Sequence, residues 1–163
     1  MKYRKFAVVL VVVLAGFAAG AGSPQPSAED DPWRMSYEEA QKQAKESNKP
    51  VMACFLGSDW CPFCVHLLKE VLNTSDFKKW AEQNVVLLIV DSPKNTPQDL
   101  EVKKQNKELK ERFKVKGVPV TVLISPDGKV IGRISKYTEK EKWQKQLQGL
   151  MQKAQTKSAT KES

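Results

Sequence analysis

The chain has 163 residues, of which 40% are hydrophobic, and its formal net charge is +8. This length suits one domain with short appendages, and the hydrophobic share is enough for one ordinary core. The basic balance raises the question of nucleic acid or an acidic membrane surface. The lysines and arginines form no stripe interleaved with aromatic residues, so we predict that the protein does not bind nucleic acid.

The N-terminal residues predict a targeting segment. Lys2, Arg4 and Lys5 precede an uninterrupted apolar run from Phe6 to Ala21, and small residues follow it. A positive stretch, an apolar stretch and a small-residue cleavage site in this order are typical of a secretory signal peptide. We therefore predict a cleaved signal peptide over residues 1–21 and export to the periplasm, with an uncleaved membrane anchor as the alternative.

Composition divides the rest of the chain into three parts. Residues 22–32 are rich in serine, proline and acidic residues, which indicates a linker. Residues 33–152 contain all the segments with a helical or strand-like apolar pattern, and they form the predicted domain. Residues 153–163 are polar and basic, and we predict a disordered tail there.

The first half of the domain is predicted to contain a helix, a strand, two helices and a second strand. Ser36 to Glu39 is a capping box that predicts the start of the first helix. Short apolar runs at residues 51–56 and 85–90 are bounded by turn residues and have the composition of buried strands. Between them, apolar residues recur at helical spacing over residues 65–72. Polar residues 73–76 then interrupt and restart the helix.

The second half is predicted to contain a helix, a hairpin and a last helix. Residues 99–114 are highly charged but keep a helical apolar pattern. The predicted apolar members of this helix are Leu100, Val102, Leu109 and Phe113. The segment ending at Ile124 and residues 130–134 flank a tight turn and are predicted to form the hairpin. A second capping box, Thr138 to Glu141, opens the last helix.

The order of these elements predicts an α/β fold. A helix separates the first two strands, so they are expected to be parallel, whereas the last two strands pair as a hairpin. The fold class is therefore a central mixed sheet of about four to five strands flanked by helices.

Two of the three cysteines form a C-x-x-C motif, Cys61 to Cys64, directly after the strand at residues 51–56. A strand that delivers this motif to the first turn of a helix is the layout of a thiol–disulfide redox centre. Disulfide exchange needs a thiolate that attacks and a second thiol that resolves the mixed disulfide. Unpaired N–H groups at the helix start favour the thiolate on Cys61. We predict that Cys61 is exposed and attacks, and that Cys64 lies deeper and resolves.

The residues around the cysteines suit a protein substrate and a reducing role. Pro62 fits the first helical position, since it has no N–H to leave unsatisfied. Trp60 and Phe63 would form an apolar rim for an unfolded or extended substrate. The dipeptide Pro62-Phe63 contains no cation to stabilise the thiolate, and strong oxidants depend on a very stable reduced form. We predict a disulfide reductase, with an oxidase or isomerase as the alternative.

These features resemble a known family. Trp60 with the C-x-x-C motif, followed by Gly117-Val118-Pro119, is similar to thioredoxin-like proteins. Residues 49–61 and 105–119 more specifically resemble exported bacterial thioredoxin-like thiol–disulfide oxidoreductases. The resemblance implies a thioredoxin-like fold and no cofactor beyond the redox-active disulfide of the motif. It also implies a cis peptide bond between Val118 and Pro119, packed against the cysteines, with the Val118 backbone free to pair with a substrate strand.

The family also suggests the partners. They would be disulfide-bonded periplasmic proteins as substrates and a membrane electron donor for re-reduction, because the chain has no second cysteine pair that could supply electrons. We predict that the protein acts as a monomer.

One feature of the sequence departs from the family. Thioredoxins bury an acid on the strand before the motif, where it assists proton transfer to the second cysteine. Here Cys54 occupies or adjoins that place, and the nearest acid, Asp59, is expected at the surface. Water is then the candidate for proton transfer.

Other interpretations of the cysteines fit less well. A purely structural Cys61–Cys64 disulfide would close too small a loop to restrain the chain. Cys54, Cys61, Cys64 and His66 are the right ligand types for zinc. However, Cys54 belongs to a buried strand and His66 points to another face of the helix, so we predict no metal site. Cys54 is instead expected to be a small core residue. A binding module without activity is a further alternative.

Overall fold

A mixed five-stranded sheet organises the chain, and helices cover both of its faces. We describe it from a computed structural model, which covers residues 31–159; the predicted signal peptide and nearly all of the predicted linker lie outside the described residues. The strands are β1 Trp33–Arg34, β2 Val51–Leu56, β3 Val86–Asp91, β4 Val120–Ile124 and β5 Val130–Ile134. Their order across the sheet is β1-β3-β2-β4-β5.

The helices follow the sequence pattern closely. They are α1 Tyr37–Ser47, α2 Pro62–Leu67, α3 Ser75–Asn84, α4 Leu100–Arg112 and α5 Lys140–Ala159. A π-helical turn, Leu68–Leu72, continues directly from α2. As the capping box predicted, Ser36 precedes α1 and its Oγ accepts a hydrogen bond from the Glu39 N–H. Within residues 31–159, none of the helices has both the length and the apolar content needed to cross a membrane.

Strand pairing confirms the predicted fold class. β2 pairs in parallel with β3, and in antiparallel fashion with β4, which forms the expected hairpin with β5. The first strand, β1, pairs in parallel with β3 at the edge of the sheet and was not predicted. It has only two residues, too few to show any alternation in the sequence.

The central strand β2 separates two apolar layers. All six of its side chains are buried, and they point alternately to the two faces of the sheet. Met52, Cys54 and Leu56 belong to the layer that contains side chains from α2, α3 and α5. The other three side chains of β2 point to the opposite face of the sheet and pack in the layer beneath α1 and α4. Cys61 and Cys64 belong to the first layer, so the motif lies on the same face of the sheet as Cys54.

Three details differ from the sequence prediction. The helix predicted over residues 65–72 changes to the π-helical turn at Leu68. Leu100, predicted to be buried, is 78% exposed because it opens α4 at the edge of the layer. The predicted disordered tail is helical over residues 153–159, because α5 runs to Ala159. Ala154 continues the apolar face of α5 beyond the predicted end of the domain, which extends the helix.

Trp143 gives a test of how α5 is held on the sheet. Its side chain is 2% exposed and contacts the Phe77 ring at a centroid distance of 6.1 Å. Trp143→Ala should lower the free energy of unfolding by about 3–5 kcal/mol, because it removes a large buried side chain and leaves a cavity. Urea denaturation followed by circular dichroism measures this change. Lys145→Ala, an exposed change on the same helix, should stay within about 0.5 kcal/mol of the wild type; equal effects of the two changes would contradict the packing.

Candidate redox site

A short turn after β2 brings the C-x-x-C motif to the start of α2. The N–H groups of Trp60 and Cys61 both donate to the Gly57 carbonyl, at 3.3 and 2.9 Å. Cys61 is the N-cap of α2 with extended backbone angles, and Pro62 follows inside the first turn, as predicted. The Cys64 N–H then donates to the Cys61 carbonyl at 3.0 Å, which closes the first helical turn. The motif therefore forms the N-cap and the first turn of α2.

The two motif thiols are close together and differ in depth. All three cysteines of the chain are free thiols in this structure. Cys61 is 5% exposed and Cys64 is fully buried, so the predicted order of depth holds. The expectation that Cys61 would be openly exposed is wrong, because nearly all of its surface is covered. A substrate disulfide must therefore approach through a narrow opening.

The surroundings of Cys64 keep it protonated. Burial raises the pKa of its thiol, and the hydrogen bond with the Cys61 thiol and the charge of Asp91 act in the same direction. The Gly57 N–H, which donates to Cys64 Sγ at 3.4 Å, opposes these effects but does not outweigh them. In the dithiol form, the Cys64 thiol therefore stays protonated.

The loop before β4 faces Cys61. The Val118–Pro119 peptide bond is cis, as the family resemblance implied. The Cys61 thiol donates to the Val118 carbonyl oxygen, with 3.7 Å between the sulfur and the oxygen. Because proline has no N–H, it places no donor beside the sulfur. The structure thus places Cys61 beside Val118, which lies 57 residues later in the sequence.

Two exposed aromatic residues adjoin the motif cysteines in the chain. Trp60 is 40% exposed and Phe63 is 58% exposed, and Pro62 between the cysteines is also exposed. The Trp60 Nε1–H donates to the Ser92 carbonyl at 2.8 Å. A Cβ atom at Gly57 would lie only 2.4 Å from the Trp60 ring, so the close approach of the indole requires glycine there. Trp60 is therefore held in place, and the role of Trp60 and Phe63 as an apolar rim for a substrate stays a prediction.

Asp59 has a structural role that the sequence did not indicate. Its carboxylate accepts hydrogen bonds from three successive backbone N–H groups of the loop at residues 94–96, at 2.7–2.9 Å. These bonds, led by that of Lys94, lower the pKa of Asp59 below its usual range. Asp59 therefore fixes the loop after β3 to the motif turn.

Asp91 is an acid near Cys64 that the sequence patterns did not predict. It ends β3 at the position paired with Leu56, the last residue of β2. Its carboxylate accepts from the Ser58 N–H at 2.9 Å and from the Ser58 hydroxyl at 2.5 Å. The N–H groups of the consecutive residues Gly57 and Ser58 thus donate to Cys64 Sγ and to Asp91, which makes these two acceptors neighbours. The ends of two parallel strands meet at one edge of a sheet, and this rule could have pointed to Asp91.

Cys54 is a buried core residue, as predicted. It has no exposed surface, and its Sγ lies 3.8 Å from Thr121 Oγ1. Burial raises the pKa of Cys54 to about 12. His66 is exposed and its Nδ1 lies 3.2 Å from Glu70 Oε1. Within residues 31–159, no three His, Cys, Asp or Glu side chains are grouped so that they could hold a metal ion.

Comparisons with known proteins agree with this geometry. The chain is 37% identical over 99 residues to the disulfide bond reductase DsbH of Chlamydia pneumoniae, an alignment that covers 61% of this chain and 60% of the relative. It is 34% identical over 105 residues to the thioredoxin-related protein DsbJ of the same organism, covering 64% of this chain and 30% of the relative. The chain thus spans less than two thirds of the length of either relative.

The fold and the sequence family agree with each other. A solved structure described as a DsbH oxidoreductase superposes on this chain with a TM-score of 0.67 and 29% identity, covering 83% of this chain and 96% of the other. The sequence model of the thioredoxin-like domain matches residues 37–150. The resemblance predicted from the motif and the cis-proline loop is confirmed: the chain belongs to the thioredoxin-like domain family.

Proposed function

We propose that the protein is an exported thiol–disulfide oxidoreductase that reduces disulfide bonds in other proteins. The observation that carries this proposal is the placement of the Cys61 thiol, which lies at the start of α2, beside Cys64 and facing the cis-proline loop. The similarity to DsbH, a disulfide bond reductase, supports the same chemistry. The exported location rests on the predicted signal peptide.

The first step joins the protein to its substrate. The thiolate of Cys61 attacks one sulfur of a substrate disulfide, and an S–S bond forms between them as the substrate S–S bond breaks. The second substrate sulfur leaves as a thiolate and takes up a proton from solvent. The Val118 backbone and the exposed rings of Trp60 and Phe63 would hold an extended substrate segment during this step.

The second step releases the substrate. Cys64 loses its proton, and its thiolate attacks Cys61 Sγ, which forms the Cys61–Cys64 disulfide and frees, as a thiolate, the substrate sulfur that Cys61 had attacked. Two electrons have then passed from the protein to the substrate. We assign the proton of Cys64 to the Asp91 carboxylate, since Asp91 neighbours Cys64 through Gly57 and Ser58 and its charge acts on that thiol.

The direction of electron flow follows from the dipeptide between the cysteines. Neither Pro62 nor Phe63 carries a charge that would stabilise the reduced form, so the protein should give up electrons readily. A membrane electron donor would then re-reduce the Cys61–Cys64 disulfide, and the protein would act as a monomer. An oxidase or isomerase role is the alternative.

Substitution of each cysteine tests the proposed roles. Cys61→Ser should abolish the reduction of insulin, because no attacking thiolate remains. Cys64→Ser should accumulate mixed disulfides with substrates, visible on non-reducing gels, because the resolving thiol is missing. Cys54→Ala is the matched control and should keep its activity, since Cys54 is buried away from substrates. Full activity of Cys61→Ser would show that the proposed function is wrong.

The reduction potential tests the direction. Equilibration of the protein with glutathione or dithiothreitol buffers should give a value near that of thioredoxin, about −270 mV, because nothing in the dipeptide stabilises the thiolate further. The fraction of oxidised protein can be followed by tryptophan fluorescence, to which the motif residue Trp60 contributes. A potential above about −150 mV would favour the oxidase alternative instead.

Asp91 can be tested separately through the pH dependence of the second step. The Asp91 charge raises the pKa of Cys64, so Asp91→Asn should lower that pKa. If Asp91 also accepts the proton, resolution of a preformed mixed disulfide should slow by about tenfold or more at neutral pH. Rapid-quench measurements over a pH series give both quantities.

The controls distinguish the two effects of Asp91. Asp59→Asn removes a charge from the same turn without touching Cys64, and it should leave the pH profile of resolution unchanged. A lower pKa with an equal or faster rate in Asp91→Asn would show that Asp91 acts by its charge alone and that the proton goes elsewhere.

A further inference from the structure

A groove rich in lysine lies beside the candidate site. It has a volume of about 940 Å³ and lies between the loop at residues 92–98 and one face of α4. We call it the lysine groove. Five lysines line it: Lys94, Lys103, Lys104, Lys107 and Lys110. None of the described residues that line the groove is acidic, and the exposed Leu100 lies at its edge.

The charge of this groove is not balanced by nearby ion pairs. The salt bridges found within residues 31–159 join other residues, at His66, Lys78 and Lys129. Lys103, Lys107 and Lys110 recur at three- and four-residue intervals along α4, which places them on one face of the helix. Asp91 lies near Lys110, but the groove lysines take part in none of these salt bridges. Several like charges that line one groove create a positive potential that attracts anionic groups.

The groove is continuous with the rim of the motif. The Lys94 ammonium lies 4.1 Å from the centroid of the Trp60 ring, and Trp60 also donates to the Ser92 carbonyl. Asp59 binds the backbone of residues 94–96 and so fixes this side of the groove to the motif turn. Because Trp60 directly precedes Cys61, a chain that occupied the groove would reach the attacking thiol.

We propose that the lysine groove binds an acidic segment of the disulfide-bearing protein substrate. The inference rests on the proposed function, to which it adds a preference for one class of substrate. Lysine ammonium groups would pair with the carboxylates of the segment, and Leu100 would contact an apolar side chain between them. Exposed ion pairs contribute little individually, so the effect depends on several lysines acting together and on faster association.

Two peptides that differ only in charge provide the test. Each contains the same intramolecular disulfide, flanked either by aspartate and glutamate residues or by serine and asparagine residues. The full chain should reduce the acidic peptide with a kcat/KM about tenfold higher than the neutral one at low salt, and added salt should remove most of the difference.

A charge-reversal variant locates the effect. Lys103→Glu, Lys104→Glu and Lys107→Glu together should abolish the preference and leave reduction of the neutral peptide unchanged. Lys94 and Lys110 are kept, because the first contacts Trp60 and the second lies near Asp91. The matched control changes three exposed lysines outside the groove to glutamate, namely Lys42, Lys45 and Lys145, and should keep the preference.

The outcomes separate this inference from the proposed function. Equal reduction of both peptides, or a preference that survives the groove variant, would overturn the groove and leave the reductase intact. If neither peptide is reduced, the proposed function fails. In that case the groove can still be tested by the binding of an acidic peptide whose cysteines are replaced by serine, measured by fluorescence anisotropy. The groove is supported only if the groove variant binds this peptide more weakly than the control variant does. Groove-dependent binding to phosphatidylglycerol vesicles without any acidic-peptide preference would instead assign the groove to a lipid surface.

Discussion

The pairing register of β2 is the constraint on which the candidate site depends. Its six side chains are buried on two faces, and a slip of one residue would exchange the two layers. With the register fixed, parallel pairing brings Asp91 beside Leu56 at the end of the strand. Antiparallel pairing brings Val120 to the same end, and the cis bond to Pro119 immediately precedes it. The elements around the motif thus arrive from three parts of the chain because one strand cannot shift.

The same arrangement makes the two motif thiols unequal. Cys61 is the N-cap residue of α2, at the positive end of the helix dipole, and it retains some exposure. Cys64 lies one turn further in, away from water and within the field of Asp91. Because the Cys64 thiol is hard to ionise, it stays protonated until Cys61 has attacked the substrate disulfide. This order suits a two-step exchange. The high pKa of Cys64 arises first from burial, then from the hydrogen bond with the Cys61 thiol, and least from the Asp91 carboxylate.

Much of this could be predicted from local patterns. Apolar runs, capping boxes and the C-x-x-C spacing predicted the strands β2 to β5, most helix limits and the positions of Cys61 and Cys64, because these depend on residues close in sequence. Asp91 could not be found this way, because its link to Cys64 depends on a strand register that forms only in the folded sheet. Leu100 was wrongly predicted to be buried, because helical periodicity alone does not show where the buried face of a helix ends. The continuation of α5 was missed because its apolar contact at Ala154 is a single small residue among polar ones.

The burial of Cys54 has a consequence for the protein as a redox molecule. A chain with three thiols could form three different internal disulfides. A disulfide that included Cys54 would inactivate the motif and leave one motif thiol free to link the chain to another protein. Burial raises the pKa of both Cys54 and Cys64 to about 12, so depth alone does not separate them. Cys64 lies in hydrogen-bond contact with Cys61 and needs to reach only that sulfur, whereas Cys54 Sγ lies against Thr121 Oγ1 with no exposed surface for an external disulfide to approach. Of the three cysteines in the sequence, the fold therefore leaves only Cys61 and Cys64 able to take part in disulfide exchange.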